Sequence, residues 1–352
     1  MPPRHHIEYV FDEVTGLYCQ VTPDTRFTLV YARDAHASLL FAALPGPCIR
    51  VWSREELVDQ LARPVAVVFV DTDLLAPNES CLTKSPCIGV LGGSPSALST
   101  IVDLVGAFPW LSHVVSTTLL TGPLARGRLS VLLDRVVPGR VQHMLGKAGV
   151  GRIARLSKAS GRDARFERIR EFFAKHGVTP RTLTSINEVI EELVTNALYD
   201  APLEAGYFDG AVQRTEDVVL PSDRACEISY GIEDATAFVR VCDTFGALTR
   251  ARLMAVLERC NAQAVELDES RGGAGLGIWR VFSMASTVSI SVVPGRLTDI
   301  VIGFESGGRR ASKQLLALQL SFVAVSDASE PSPDGERDFL DHSVTLMQSV
   351  SA

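Results

Sequence analysis

Glu192 and Asn196 stand four residues apart in SINEVIEELVTNALYD, residues 185–200. On a helix that spacing stacks an acid and an amide on one face. At the margin of a buried stripe such a pair can hold a hydrated Mg²⁺ or orient a nucleophile. It equally suits a solvated helix face, and spacing alone does not separate the two. A second acid, Asp243, ends the apolar run FVRVCD (238–243) and precedes the turn TFGALTR, which contains Gly246. A carboxylate held at a strand end beside a glycine turn can accept a hydrogen bond from an exocyclic amine such as adenine N6. The third group is RGGAGLGIWRVF, residues 271–282. Gly272, Gly273, Gly275 and Gly277 let a backbone approach a phosphate closely, and a helix from about Leu276 offers unpaired N–H groups there. Neither the Rossmann nor the P-loop spacing is met. A flexible linker is the alternative, but GLGIWRVF runs straight into apolar helical periodicity.

These residues need elements to hold them. Ser185 with Glu188 forms a capping-box pattern that predicts a helix start. Ile186, Val189, Ile190, Leu193, Val194 and Ala197 then fall on one helical stripe. FVRVCD reads as a strand. Upstream, 138–182 is more polar and basic, and Phe166, Ile169, Phe172 and Phe173 give it an amphipathic helix. Downstream of 327, DASEPSPDGERD has the composition of a flexible tail.

The first 135 or so residues alternate strand-like and helix-like runs. Strands are predicted at 27–32, 48–52, 65–71, 87–91 and 112–117, and helices at 36–44, 54–62, 96–107 and 124–136. Short unbroken runs of β-branched residues suit strands buried on both faces of a parallel, doubly wound sheet. Five such units resemble a response-regulator receiver domain. A working receiver has an acidic pair after its first strand, a phosphoacceptor Asp after its third, a Ser or Thr after its fourth and a Lys after its fifth. Here Asp34 can represent the acidic pair and Asp71 follows the third strand. The fourth strand runs into Gly92-Gly93-Ser94, and the fifth ends in Ser116-Thr117 without a nearby lysine. The missing lysine favours a pseudo-receiver used for docking, with Asp71 read as a strand-end cap and phosphorylation as the alternative.

In order, EELVTNAL, VCDTFGAL and GGAGLGIWRVF resemble the N box and the two glycine boxes of the GHKL ATP-binding superfamily, over about 183–305. Within it, the compact form with ELVTNA is most similar to the serine kinases that act as anti-sigma factors. The resemblance implies a Bergerat fold, with helices on one face of a mixed sheet. It places Glu192 as general base, Asn196 as Mg²⁺ ligand and Asp243 as adenine reader. Thr298, in RLTDIVIGF, is implied as a second adenine contact, and Gly246, Gly272, Gly273, Gly275, Leu276 and Gly277 as the nucleotide loops. Arg271 is the single basic residue of the implied lid (roughly 260–274), either a γ-phosphate contact or a solvated charge. ATP and Mg²⁺ are the implied cofactors. The departures are Phe245 in place of a box glycine, Asp200 and Pro202 where relatives carry a histidine, and a long 201–225 segment. His143 and His176 lack the acidic neighbour of a phosphoacceptor histidine, so a sensor histidine kinase is not indicated.

Bulk properties bound the reading. A length of 352 residues, 46% hydrophobic and 21% charged, fits more than one globular core. A net charge of −7 argues against a general nucleic-acid binder. No apolar run reaches about 18 residues and the start lacks a secretory pattern, so a cytoplasmic protein without a membrane span is expected. Seven scattered cysteines fit reduced thiols. The expected organisation is a receiver-like α/β domain (1–137), a helical linker (138–182), a GHKL ATP-binding domain (183–310) and a C-terminal extension with a tail (311–352). Three functions stay open: an ATP-dependent serine/threonine kinase acting on an antagonist or sigma-factor-like signalling partner, a nucleotide-binding switch without turnover, and an interaction scaffold. The resemblance also implies a homodimer, because relatives commonly pair.

Overall fold

The computed structural model describes residues 8–12, 17–21, 27–44, 48–63, 65–75, 81–82, 87–92, 98–108, 110–111, 113–121, 129, 150–210, 212–233, 235–261, 276–305 and 315–322. They form a mixed α/β structure around one large mixed sheet. Strands β1 (Glu8–Asp12) and β2 (Leu17–Val21) make a separate antiparallel pair.

The N-terminal half follows the sequence pattern closely. Strands β3 (Phe27–Tyr31), β4 (Cys48–Arg50), β5 (Val65–Asp71), β6 (Cys87–Leu91) and β7 (His113–Ser116) are parallel, in the order β4-β3-β5-β6-β7. Successive residues of VAVVFVD belong to opposite cores. Val67 and Phe69 pack with helix α1 (Asp34–Ala43), whereas Val68 and Val70 pack with α2 (Arg54–Gln60) and α3 (Leu98–Ala107). A strand apolar on both faces demands cover on both, which the helices supply. Helix α2 starts on a Ser53 cap, with the Glu56 amide donating to Ser53 Oγ at 3.2 Å, and the Glu56 carboxylate accepts from the Trp52 amide just before the cap at 2.8 Å. The fourth predicted helix, 124–136, lies almost wholly outside the described residues.

The C-terminal half continues the same sheet. Strands β8 (Val150–Leu156), β9 (Cys226–Glu233), β10 (Thr236–Asp243), β11 (Thr287–Val293), β12 (Leu297–Glu305) and β13 (Ala317–Phe322) extend it in the order β7-β13-β11-β12-β10-β9-β8. β13 is antiparallel to β7 and parallel to β11, so it seams the halves into eleven strands. On one face lie α4 (Arg162–Lys175), α5 (Pro180–Thr195), α7 (Arg250–Asn261) and α8 (Leu276–Met284); the short α6 (Ala201–Glu204) follows α5. On the opposite face Arg240 is clasped at 2.8 Å by both Glu227 and Asp299.

Three boundaries differ from the sequence reading. The stretch 138–182 holds the outermost strand β8 as well as a helix, because alternate residues Ala154 and Leu156 bury inward. The extension 311–352 supplies β13. Helix α5 starts at Pro180, not Ser185: Thr179 accepts from the Thr182 amide, and proline at the first position is preset for a helix. Ser185 and Glu188 therefore sit inside α5, and Glu188 instead pairs with Arg280 of α8 at 2.6 Å.

Candidate functional site

Asp243 ends β10 and is only 7% exposed. Its Oδ1 accepts from the Phe245 amide at 2.9 Å and the Gly246 amide at 3.2 Å, closing the turn that follows the strand. Burial pushes its carboxyl pKa up from 3.8 to about 6, against the pull of those two amides and the approaching Thr298 hydroxyl. Thr298 stands directly across the strand pair in β12 and is buried. Its Oγ1, like that of Thr244, makes no hydrogen bond of regular geometry. Asp243 and Thr298 thus set a buried carboxylate beside a buried hydroxyl without a regular partner at one strand end. Burial also holds the neighbouring Cys226 thiol protonated.

Gly246 closes the turn at φ 57°, and a Cβ there would overlap Val293 O and come within 2.8 Å of the Arg296 and Leu297 amides. Only glycine fits. Phe245, the residue in place of a box glycine, is 3% exposed. Its ring meets Tyr207 edge-on at 5.5 Å, Arg224 lies over it at 5.5 Å, and Arg224 Nη1 donates to Thr244 O at 2.7 Å. The 201–225 segment thus packs the ring that the altered box introduces.

Glu192 and Asn196 sit where α5 gives way to a π turn, Asn196–Asp200, which touches β10. Single π turns inside helices recur at functional sites. Burial raises the Glu192 pKa, opposed by Arg214, the Asn196 amide and Arg280, while Asp200 reinforces the rise. Arg214 is held by Asp200 at 2.7 Å. A Cβ on Gly277 would overlap the Glu192 carboxylate, so glycine lets the first turn of α8 lie directly against that acid. Glu188, Val189, Glu192, Gly277 and Arg280 line a narrow crevice there.

The structure therefore brings Glu192 to Gly277, and Asp243 to Gly246 and Thr298, on the one helix-covered face. Leu276 is the first residue of α8. Arg271, Gly272, Gly273 and Gly275 lie outside the described residues. Sequence reasoning missed Arg214, Arg224 and Arg280; nothing in their local pattern distinguishes them from solvated charges. Among the described residues no cluster of three or more His, Cys, Asp or Glu could hold a metal by itself.

In the N-terminal half, Asp71 is wholly buried and already engaged. Its Oδ2 accepts from Arg33 Nε at 2.8 Å and His36 Nδ1 at 2.7 Å, and its Oδ1 from the Asp73 amide at 3.2 Å. Burial alone would raise its pKa, but Arg33, the Asp73 amide and His36 together hold it below the ordinary value. Asp34 pairs with Arg50 rather than joining Asp71. At the end of β7 the Ser116 hydroxyl caps the next turn, accepting from the Thr118 amide at 3.3 Å. His176 is exposed at the end of α4, bonded through Nδ1 to Phe172 O at 2.7 Å; His143 lies outside the described residues. Cys48, Cys81, Cys87, Cys226, Cys242 and Cys260 form no disulfide, and no described helix is long and apolar enough to cross a membrane.

No protein-family model matches the chain, and no curated protein does. The site must be judged on its own geometry.

Proposed function

We propose that the C-terminal half is a Bergerat-type ATP-binding unit and that the chain is a cytoplasmic bacterial signalling protein. In this reading it is a serine/threonine kinase of the anti-sigma type, acting on a signalling partner. The observation that carries the reading is the buried Asp243–Thr298 pair with its orphan hydroxyl. A carboxylate acceptor beside a hydroxyl matches the amine and ring-nitrogen edge of adenine. Asn196 then reaches a Mg²⁺ that neutralises phosphate charge, most of whose ligands come from water and the nucleotide itself. The first turn of α8 offers free amides to a phosphate. Glu192, desolvated and with a raised pKa, is suited to take the proton from an attacking serine hydroxyl. Arg214 and Arg280 oppose that rise through their positive charge.

A second reading, a nucleotide-responsive switch without turnover, is favoured by two observations. Phe245 stiffens the adenine turn, and Asp71 is tied to Arg33 and His36 as a pseudo-receiver aspartate would be. Calorimetry with Mg-ATP separates the readings. Binding to the wild type, with at least tenfold loss in both Asn196→Ala and Asp243→Ala, supports the pocket. No binding of ATP or ADP by the wild type sinks both versions and leaves a scaffold. Where binding holds, phosphotransfer abolished by Glu192→Ala identifies the kinase; tight binding with no transfer or hydrolysis over hours identifies the switch.

A further inference from the structure

The outer edge of the sheet carries charge opposite to the rest of the chain. Residues 150–181 hold nine Arg or Lys against three Asp or Glu, in a chain of net charge −7. Several of these cations have partners. Arg155 approaches Glu227 at 3.6 Å, Lys158 approaches Asp217 at 3.4 Å and Arg170 approaches Glu167 at 3.6 Å. Arg152, Arg165, Arg168 and Lys175 make no ion pair among the described residues.

Their placement is ordered. Arg152 lies opposite Tyr230 on the helix-covered face of β8. Phe172 of α4 packs on Tyr230, ring centroids 5.2 Å apart. Arg165, Arg168 and Lys175 are seven, four and three residues from Phe172, so they share the side of α4 that Phe172 turns toward Tyr230, the residue opposite Arg152. The opposite face of β8 presents Ile153, 39% exposed, and past its end stands Val219, 63% exposed. Among the described residues β8 bonds only to β9, so its outer edge offers a row of backbone donors and acceptors seven residues long.

We infer that β8 is a docking edge for an extended, acidic protein segment, which adds as a further strand. Its acidic side chains would meet Arg152 and the α4 cations, and its alternate apolar side chains would cover Ile153. Charge selects this occupant. A second copy of β8 would bring the same cations together, and a nucleic-acid backbone has no peptide groups with which to extend the open edge of the sheet. The inference does not depend on nucleotide binding.

The test uses the full-length protein and an eight-residue peptide of alternating Glu and Val, with three controls: its Lys–Val counterpart, the same acidic peptide N-methylated at alternate residues, and a single-stranded DNA of equal charge. The acidic peptide is expected to bind at least tenfold more tightly than either control peptide. It should weaken with salt and lose about tenfold with Arg152→Glu and Arg168→Glu combined, both surface changes. Amide exchange in 150–156 should slow at alternate residues when it binds. Equal affinity for the N-methylated peptide would show charge attraction without strand addition and overturn the proposal. So would DNA binding as tightly as the peptide, concentration-dependent self-association protecting the same amides, or no binding at all.

Discussion

Replacing Asp243 by Asn removes a charge while keeping the acceptor for the Phe245 and Gly246 amides. A carboxyl whose pKa rises from 3.8 to about 6 on folding binds its proton more tightly in the native state. Its contribution to stability is fully present below pH 3.8, falls as pH rises between those values, and is gone above 6. At 1.36 kcal/mol per pH unit, the ionised group costs the folded protein about 1.6 kcal/mol at pH 5 and about 3 kcal/mol at pH 8. Asn pays neither. Urea denaturation of wild type and Asp243→Asn at pH 5, 6, 7 and 8 should show the variant gaining on the wild type by about 1.4 kcal/mol across that span. The variant should meanwhile lose Mg-ATP binding. A stability difference that stays constant from pH 5 to 8 would refute the desolvated-carboxylate argument, and one that shrinks with rising pH would reverse it.

Gly246→Ala forces a Cβ onto Val293 O at a left-handed backbone position, with an expected cost of about 2–4 kcal/mol and a matching fall in thermal midpoint. Asp71→Asn strips the charge that gathers Arg33 and His36 and should cost about 1–3 kcal/mol at pH 7. Because the Asp71 pKa is held low, its contribution is lost only as pH falls below the ordinary carboxylate value, so the deficit of that variant should narrow in acid denaturation profiles.

Periodicity was legible where a segment is buried on a regular pattern. The five parallel strands begin and end within two residues of the expected positions, because unbroken β-branched runs fit a two-sided core and little else. β8 was hidden for the opposite reason. Within 151–156 the strand buries Ala154 and Leu156 and leaves its arginines exposed, so an edge strand reads as polar linker. At the site, Glu192, Asp243 and Gly246 were visible through local spacing. Arg214 and Arg224 were not, because they reach their partners Asp200 and Thr244 through chain reversals of 14 and 20 residues that local spacing cannot encode. The cap at Thr179–Pro180 was readable and lost to the competing Ser185–Glu188 pattern, which the structure spends on a tie to Arg280 instead.

The seam strand β13 has a consequence for how the chain is made. Its neighbour β7 ends at Ser116, yet β13 begins only at Ala317. During vectorial synthesis the parallel half can gather its helices long before the strand that closes its flank leaves the ribosome. Until then both β7 and β11 present open edges of apolar strands, the kind of surface that pairs with whatever strand comes first. The two halves are therefore not independent modules. A chain cut between 306 and 314 should lose the junction from both sides at once and aggregate, even though neither half has lost a residue of its described core helices.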